Sequence, residues 1–157
     1  MVIHVRAQDR GFTYLAILFL VALMSAGLAV TGVIWSTTQR RENEAQLLRV
    51  GDQIRTAIGR YYEGTPGSIK RYPTKLEDLL EDKRQLALQR YLRRLHRDPI
   101  TGGNVWGLIR APDGGIMGVH SISGLQPIKV QGFPDEYKGF SSARAYADWL
   151  FVYVPAR

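Results

Sequence analysis

The chain lacks cysteine, so neither a disulfide framework nor a thiolate metal site is available to it. Histidine is scarce as well. His4, His96 and His120 are the only three, and none stands at metal-ligand spacing with another donor. Gly102-Gly103 and Gly114-Gly115 lack the Lys-Ser/Thr of a phosphate loop, and no serine sits in a nucleophile elbow. Glu77/Asp78 and Glu81/Asp82 are paired acids that balance nearby cations. The most informative absence is charge. No Asp, Glu, Lys or Arg falls between Arg10 and Arg40.

That uncharged stretch runs apolar from Phe12 to Trp35, 24 residues. At ~1.5 Å per residue they form a helix of about 36 Å, enough to cross roughly 30 Å of hydrocarbon with some tilt. A secretory signal core is shorter, about 7–15 residues. Arg6 and Arg10 precede the span, while Arg40 and Arg41 behind it are offset by Glu42 and Glu44. The positive side therefore lies in front, which keeps the N-terminus cytoplasmic and sends the rest outward.

The helix does not stop at the end of the span. Residues 36–62 hold no proline, and Leu47, Val50, Ile54, Ala57, Ile58 and Tyr61 recur in steps of three and four. That is an amphipathic stripe, widened by Leu48 and Tyr62, with Glu42, Arg49, Gln53, Arg55 and Arg60 opposite. One helix from about Thr13 to Tyr62 follows, ended by the loop Glu63–Ser68. Thr74 as N-cap with Glu77 three residues on predicts a short helix burying Leu76, Leu79 and Leu80. Leu86, Leu88, Leu92 and Leu95 suggest further helical turns over 85–95. Asp98–Gly103 reads as a turn.

From there the period changes to two. Strands are expected at 105–109 and 116–122, joined through Pro112-Asp113-Gly114-Gly115 as a hairpin, with a last strand at 149–154. A long helix on a short antiparallel sheet is an α+β plan. The formal net charge is +7. Most of the excess lies between Lys70 and Arg97, where nine Lys/Arg face four acids. Arg90, Arg93, Arg94 and Arg97, with Tyr72 and Tyr91 interleaved, make a basic patch suited to anionic lipid, nucleic acid or an acidic protein.

A short charged leader ending in Gly11, then Phe12-Thr13 and an uncharged helix running into a further domain, resembles the class III signal of type IV pilin-like proteins. Arg71-Tyr72-Pro73-Thr74, Tyr91 to Pro99 with its Leu-x-x-Asp-Pro, and Gly102 to Trp106 resemble the post-helix region of type II secretion pseudopilins, the G-type major pseudopilin above all. The resemblance covers about residues 6–110. It implies a leader at 1–11, a membrane segment at 12–35, its amphipathic continuation at 36–62 and a periplasmic α+β domain at 63–157. Prepilin peptidase would cut between Gly11 and Phe12 and methylate the Phe12 amine. The product would wait in the inner membrane, be drawn by an assembly platform into a short filament with other pseudopilins, and drive protein export without catalysing anything itself.

Ala16 departs from the pattern, because the fifth mature residue in the family is usually Glu. Without that carboxylate the electrostatic handle on a neighbour is lost, and so is the cost of burying it. A minor or tip subunit is therefore kept open. The G-type proteins also hold calcium in the C-terminal loop, for which Asp135, Glu136 and Asp148 are the acids here. Calcium takes about six to eight oxygens; these three acids have no readable spacing, and no metal site or cofactor is assigned. The alternative loop reading has Phe133, Tyr137, Phe140 and Tyr146 packing on the sheet. Two alternatives remain beside the secretion reading. One is an uncleaved signal anchor. The other is a pilin-like subunit of a DNA-uptake system or type IV pilus that binds nucleic acid through the basic patch.

Overall fold

The computed structural model describes residues 9–84 and 88–155, without the side chains of residues 9–12 and 25–34. The chain divides into two compact units, Met1–Gln39 and Arg40–Arg157. Helix α1 (Asp9–Glu63) contributes to both. Residues 1–8 of the leader expected at 1–11 lie outside the described residues.

In the first unit the described side chains of residues 13–24 are exposed. Its large apolar groups, Tyr14 to Met24, are between 48% and 67% open. Among the described residues no helix is long and apolar enough to cross a membrane. Most of the second half of the expected 12–35 span, residues 25–34, falls outside the described side chains.

In the second unit the stripe read from the sequence is the core. Leu47, Val50, Ile54, Ala57, Ile58 and Tyr61 are all buried. They pack in one cluster with Ile116, Val119 and Phe151 of the sheet and with Trp106, Tyr137, Phe140, Tyr146 and Trp149. Leu48 packs at its edge, and half-buried Tyr62 meets Tyr72 and Tyr153. Gly51 faces Phe151 so closely that a Cβ would collide with the ring. The helix keeps a glycine there, despite its poor propensity, because the aromatic ring fills the side-chain space.

The sheet has three antiparallel strands in the order β1-β2-β3: β1 Gly107–Arg110, β2 Ile116–His120 and β3 Phe151–Val152. The hairpin expected from Pro112–Gly115 is present. Gly114 takes φ +82°, and Ala111 N–H donates to the Gly115 carbonyl at 2.8 Å. A bulge falls between Ile109 and Arg110. The strands are shorter than their apolar runs. Val105 is 64% exposed ahead of β1, and Leu150, 46% exposed, keeps the last strand to Phe151 and Val152.

Two local expectations are corrected. The cap at 74–78 is shifted by one residue: Asp78, not Glu77, accepts from Thr74 N–H (3.0 Å), Thr74 Oγ1 (2.9 Å) and Lys75 N–H (2.9 Å). The result is a single 3₁₀ turn, Leu76–Leu79, with Leu79 wholly buried. No helical turn forms over residues 88–95, the described part of the expected 85–95 stretch. Residues 85–87 lie outside the described residues. The rest is irregular, with one isolated bridge and several bends; Asp82 N–H donates to the Gln89 carbonyl and both Tyr91 and Leu92 N–H to the Leu79 carbonyl, each at 2.9 Å. Leu92 enters the core while Leu88 stays 52% exposed. Pairing with the 3₁₀ turn satisfies this backbone better than a leucine period that buries only part of its stripe.

The Gly51 contact makes a direct prediction. Gly51→Ala raises helix propensity by about 1 kcal/mol, yet overpacking against Phe151 costs about 1–3 kcal/mol. Net destabilisation is expected in chemical unfolding. A stabilised Gly51→Ala protein would contradict the contact.

Candidate functional site

Gly11 and Phe12 lie on the helical backbone of α1, and their side chains are outside the described ones. Ala16 is exposed on the same helix. It stands next to Leu15, 65% exposed, in a run whose described side chains carry no charge.

The basic stretch separates into structural and free cations. Arg84 is structural. Its guanidinium meets buried Asp82 at 2.7 Å and lies 3.5 Å over the Tyr61 ring. It also donates to the Tyr61 carbonyl (2.9 Å) and to Thr65 Oγ1 (2.8 Å). Lys70 Nζ donates to the Glu63 carbonyl at 2.7 Å. Both cations thus satisfy carbonyls at the C-terminal end of α1, where the helix dipole is negative. The Arg84 hydrogen bonds hold the Asp82 carboxyl below its ordinary value.

Arg90, Arg93, Arg94 and Arg97 are exposed, and none of the four ion pairs among the described residues involves them. Arg93 and Arg94 come together with Arg60 and His96 around a groove of about 710 Å³ between α1 and the irregular segment from Tyr91. Arg90 and Arg97 are outside that groove's lining. The interleaved aromatics face inward. Tyr91 packs on Tyr61 at 5.7 Å and donates to Asp82 at 3.1 Å. Tyr72 packs on Tyr62 at 4.5 Å and donates to the Tyr153 carbonyl at 3.2 Å. Neither ring is presented for stacking on bases.

The two short motifs of the post-helix region are anchors. The Pro73 carbonyl accepts Ile116 N–H at 2.7 Å, next to the hairpin. Asp98 is fully buried and accepts from Ile100 N–H (2.9 Å), Thr101 Oγ1 (3.0 Å) and Ser121 Oγ (2.7 Å). It ties the 98–103 turn to the end of β2.

The acids considered for calcium do not form a donor set. Asp135 pairs with Lys138 at 2.9 Å and Glu136 with Arg55 at 2.8 Å. Asp148 accepts Arg144 N–H at 2.8 Å and Ala145 N–H at 2.9 Å, which lowers its pKa. Among the described residues no three His, Cys, Asp or Glu gather to hold an ion. The segment is held instead by rings: Phe140 stacks on Trp149 at 5.4 Å, and Phe133 meets Trp149 edge-on at 5.5 Å.

Glu44 is the functional-group placement that charge counting missed. It is 3% exposed and accepts N–H groups of Ile128 and Lys129 and the Tyr146 hydroxyl (2.9 Å). Burial, helped by Glu44, pushes the Tyr146 phenol up to about 12. The signal was its spacing, three residues before Leu47 on the buried stripe.

Asp82 links the Arg84–Tyr91 cluster to pH. Its folded pKa is lowered. Its stabilisation is therefore present above the ordinary carboxylate value of about 4 and lost as pH falls through the lowered folded value. Asp82→Asn should cost about 1.5–3 kcal/mol near neutrality and flatten the acid side of the stability profile. Thermal unfolding between neutral and strongly acidic pH checks it, and an unchanged acid slope would remove Asp82 from the account. Comparison with protein-family models, with curated proteins and with solved structures finds no match to this chain.

Proposed function

We propose that this chain is a structural, non-enzymatic subunit of a type II secretion pseudopilus. In this reading prepilin peptidase removes the leader at Gly11 and methylates Phe12. The subunit is then held in the bacterial inner membrane with its C-terminal domain in the periplasm. An inner-membrane assembly platform joins it to other pseudopilins in a short filament that drives export across the outer membrane. The observation that carries the reading is α1 itself. Its described residues 13–24 are uncharged, and their large apolar groups are open. Such a face needs lipid or neighbouring helices around it, and a subunit that passes from membrane to filament core meets both. The Gly11-Phe12-Thr13 signal and the Tyr-Pro-Thr and Asp-Pro elements support the same family.

A DNA-uptake role has less support, because Tyr72 and Tyr91 are engaged within the domain and basic charge alone carries no base-stacking platform.

The processing step is tested by co-expression with prepilin peptidase and intact-mass measurement. The expected product begins at Phe12 and carries one added methyl, and Gly11→Leu should abolish it. An unprocessed full-length mass would leave an uncleaved signal anchor as the better account.

Ala16 bears on position within the filament. A subunit at the tip has no upper neighbour, so a carboxylate at this site has no amine to meet. Ala16→Glu is expected to leave secretion intact if the subunit caps the filament. Loss of secretion, scored as retained exoprotein, would count against that position.

A further inference from the structure

We propose that the groove lined by Arg60, Arg93, Arg94 and His96 docks an acidic, partly apolar segment of a partner protein. Such docking goes beyond the assembly reading and does not depend on it.

The groove's size, about 710 Å³, falls within the roughly 300–1,000 Å³ of clefts that hold specific ligands. Its electrostatics are one-sided. Three guanidiniums and an imidazole stand on its lining, against the single carboxylate of Asp52. That carboxylate is already engaged, since its Oδ1 accepts from Arg55 at 2.8 Å and from the Tyr137 hydroxyl. Burial raises the Asp52 pKa, but the bonds from Tyr137 and Arg55 outweigh it and hold the group low.

The cations of the groove are unlike the structural ones. Arg55 and Arg84 each meet a carboxylate of the chain at 2.8 and 2.7 Å. Arg60, Arg93 and Arg94 are exposed and enter none of the ion pairs among the described residues. The sequence offers no acid between Asp82 and Asp98 to relieve them. Like charges crowded into one cleft repel, and the concave wall concentrates their field. Carboxylates supplied from outside remove that repulsion and suit the planar forks of arginine, which bind them bidentately.

Ala57 and Leu92 of the lining are themselves buried in the core, and the apolar surface open to the groove is the Tyr91 ring edge and the hydrocarbon stems of the arginines. Apolar side chains flanked by carboxylates therefore fit better than a bare phosphate chain. Tyr91 lines the groove as well, but its hydroxyl is spent on Asp82 and its ring on Tyr61. A nucleic-acid strand would find charge there without a stacking surface.

The test uses the full-length chain in neutral detergent micelles and fluorescence anisotropy. The probe is a short fluorescein-labelled peptide alternating Glu and Leu. It is compared with a Glu/Ser peptide, a Lys/Leu peptide and a single-stranded oligothymidylate of matching length. The Glu/Leu peptide is expected to bind most tightly and to weaken with added salt. Arg93→Glu should weaken it about tenfold or more. Arg144→Glu, the same charge change at another exposed site, should leave it within about twofold. The proposal is overturned if the Glu/Leu peptide does not bind, or if both variants lose binding equally. Glu/Ser binding as tight as Glu/Leu, or tighter binding of the oligonucleotide, overturns it as well.

Discussion

The Phe151 ring lies against the backbone of α1 at Gly51, and the arrangement of the Arg40–Arg157 unit depends on that contact. No side chain separates ring from helix, so β3 sits close enough for Phe151 to join Leu47, Ile54 and Ile58 in the core. β3 in turn pairs with β2, where Val119 stands opposite Phe151. Gly118 is the matching feature on the strand, since a Cβ there would meet the Phe151 carbonyl at 2.6 Å. Two glycines on two elements thus make room for one aromatic residue. Around it Tyr137, Phe140 and Trp149 close the loop segment over the helix.

A second layer of constraint is polar. Glu44 near one end of the buried stripe and Arg84 at the other each tie irregular chain to α1. Glu44 does so by accepting backbone N–H groups of Ile128 and Lys129, Arg84 by donating to the Tyr61 carbonyl. A carboxylate or guanidinium taken from water is costly unless bonded; buried Glu44 accepts three bonds at Oε1, and half-buried Arg84 donates to Asp82, Thr65 and Tyr61. The loops after α1 have few strands or helices to organise them, so these bonds supply register that a ladder would otherwise give. The separation of structural from exposed arginines follows. Arg84 is consumed in holding the fold, while Arg93 and Arg94 remain at a groove whose single carboxylate, Asp52, is bonded to Arg55 and Tyr137.

Much of the fold was legible because local patterns carried it. The stripe from Leu47 to Tyr61 announced which helix face is buried, and Pro112–Gly115 announced the hairpin. The segment after Asp82 was not legible. Its leucines fit a helical period, yet the backbone pairs with the 3₁₀ turn at Leu79, a contact that spacing does not reveal. The cap moved from Glu77 to Asp78 because a tight 3₁₀ turn places a different residue opposite the free N–H groups. Of the site residues, Arg90, Arg93, Arg94 and Arg97 were readable as a basic run. Their division between groove and open surface was not, since Arg60, thirty-three residues before Arg93, forms the opposite wall.

Taken alone, the sequence determined the features that act over a few residues. These are the uncharged apolar stretch after Arg10, the amphipathic helix, the turns at Asp98 and Gly114, and the absence of thiol chemistry. Each depends on backbone propensity or on side chains within one or two turns. Tertiary structure decided what depends on long-range neighbours. It buried Glu44 and exposed Arg93, turned Tyr72 and Tyr91 inward, and set Asp135, Glu136 and Asp148 against separate partners. A charge's role is fixed by the solvent and counter-charges around it, and those arrive from parts of the chain that no local pattern links.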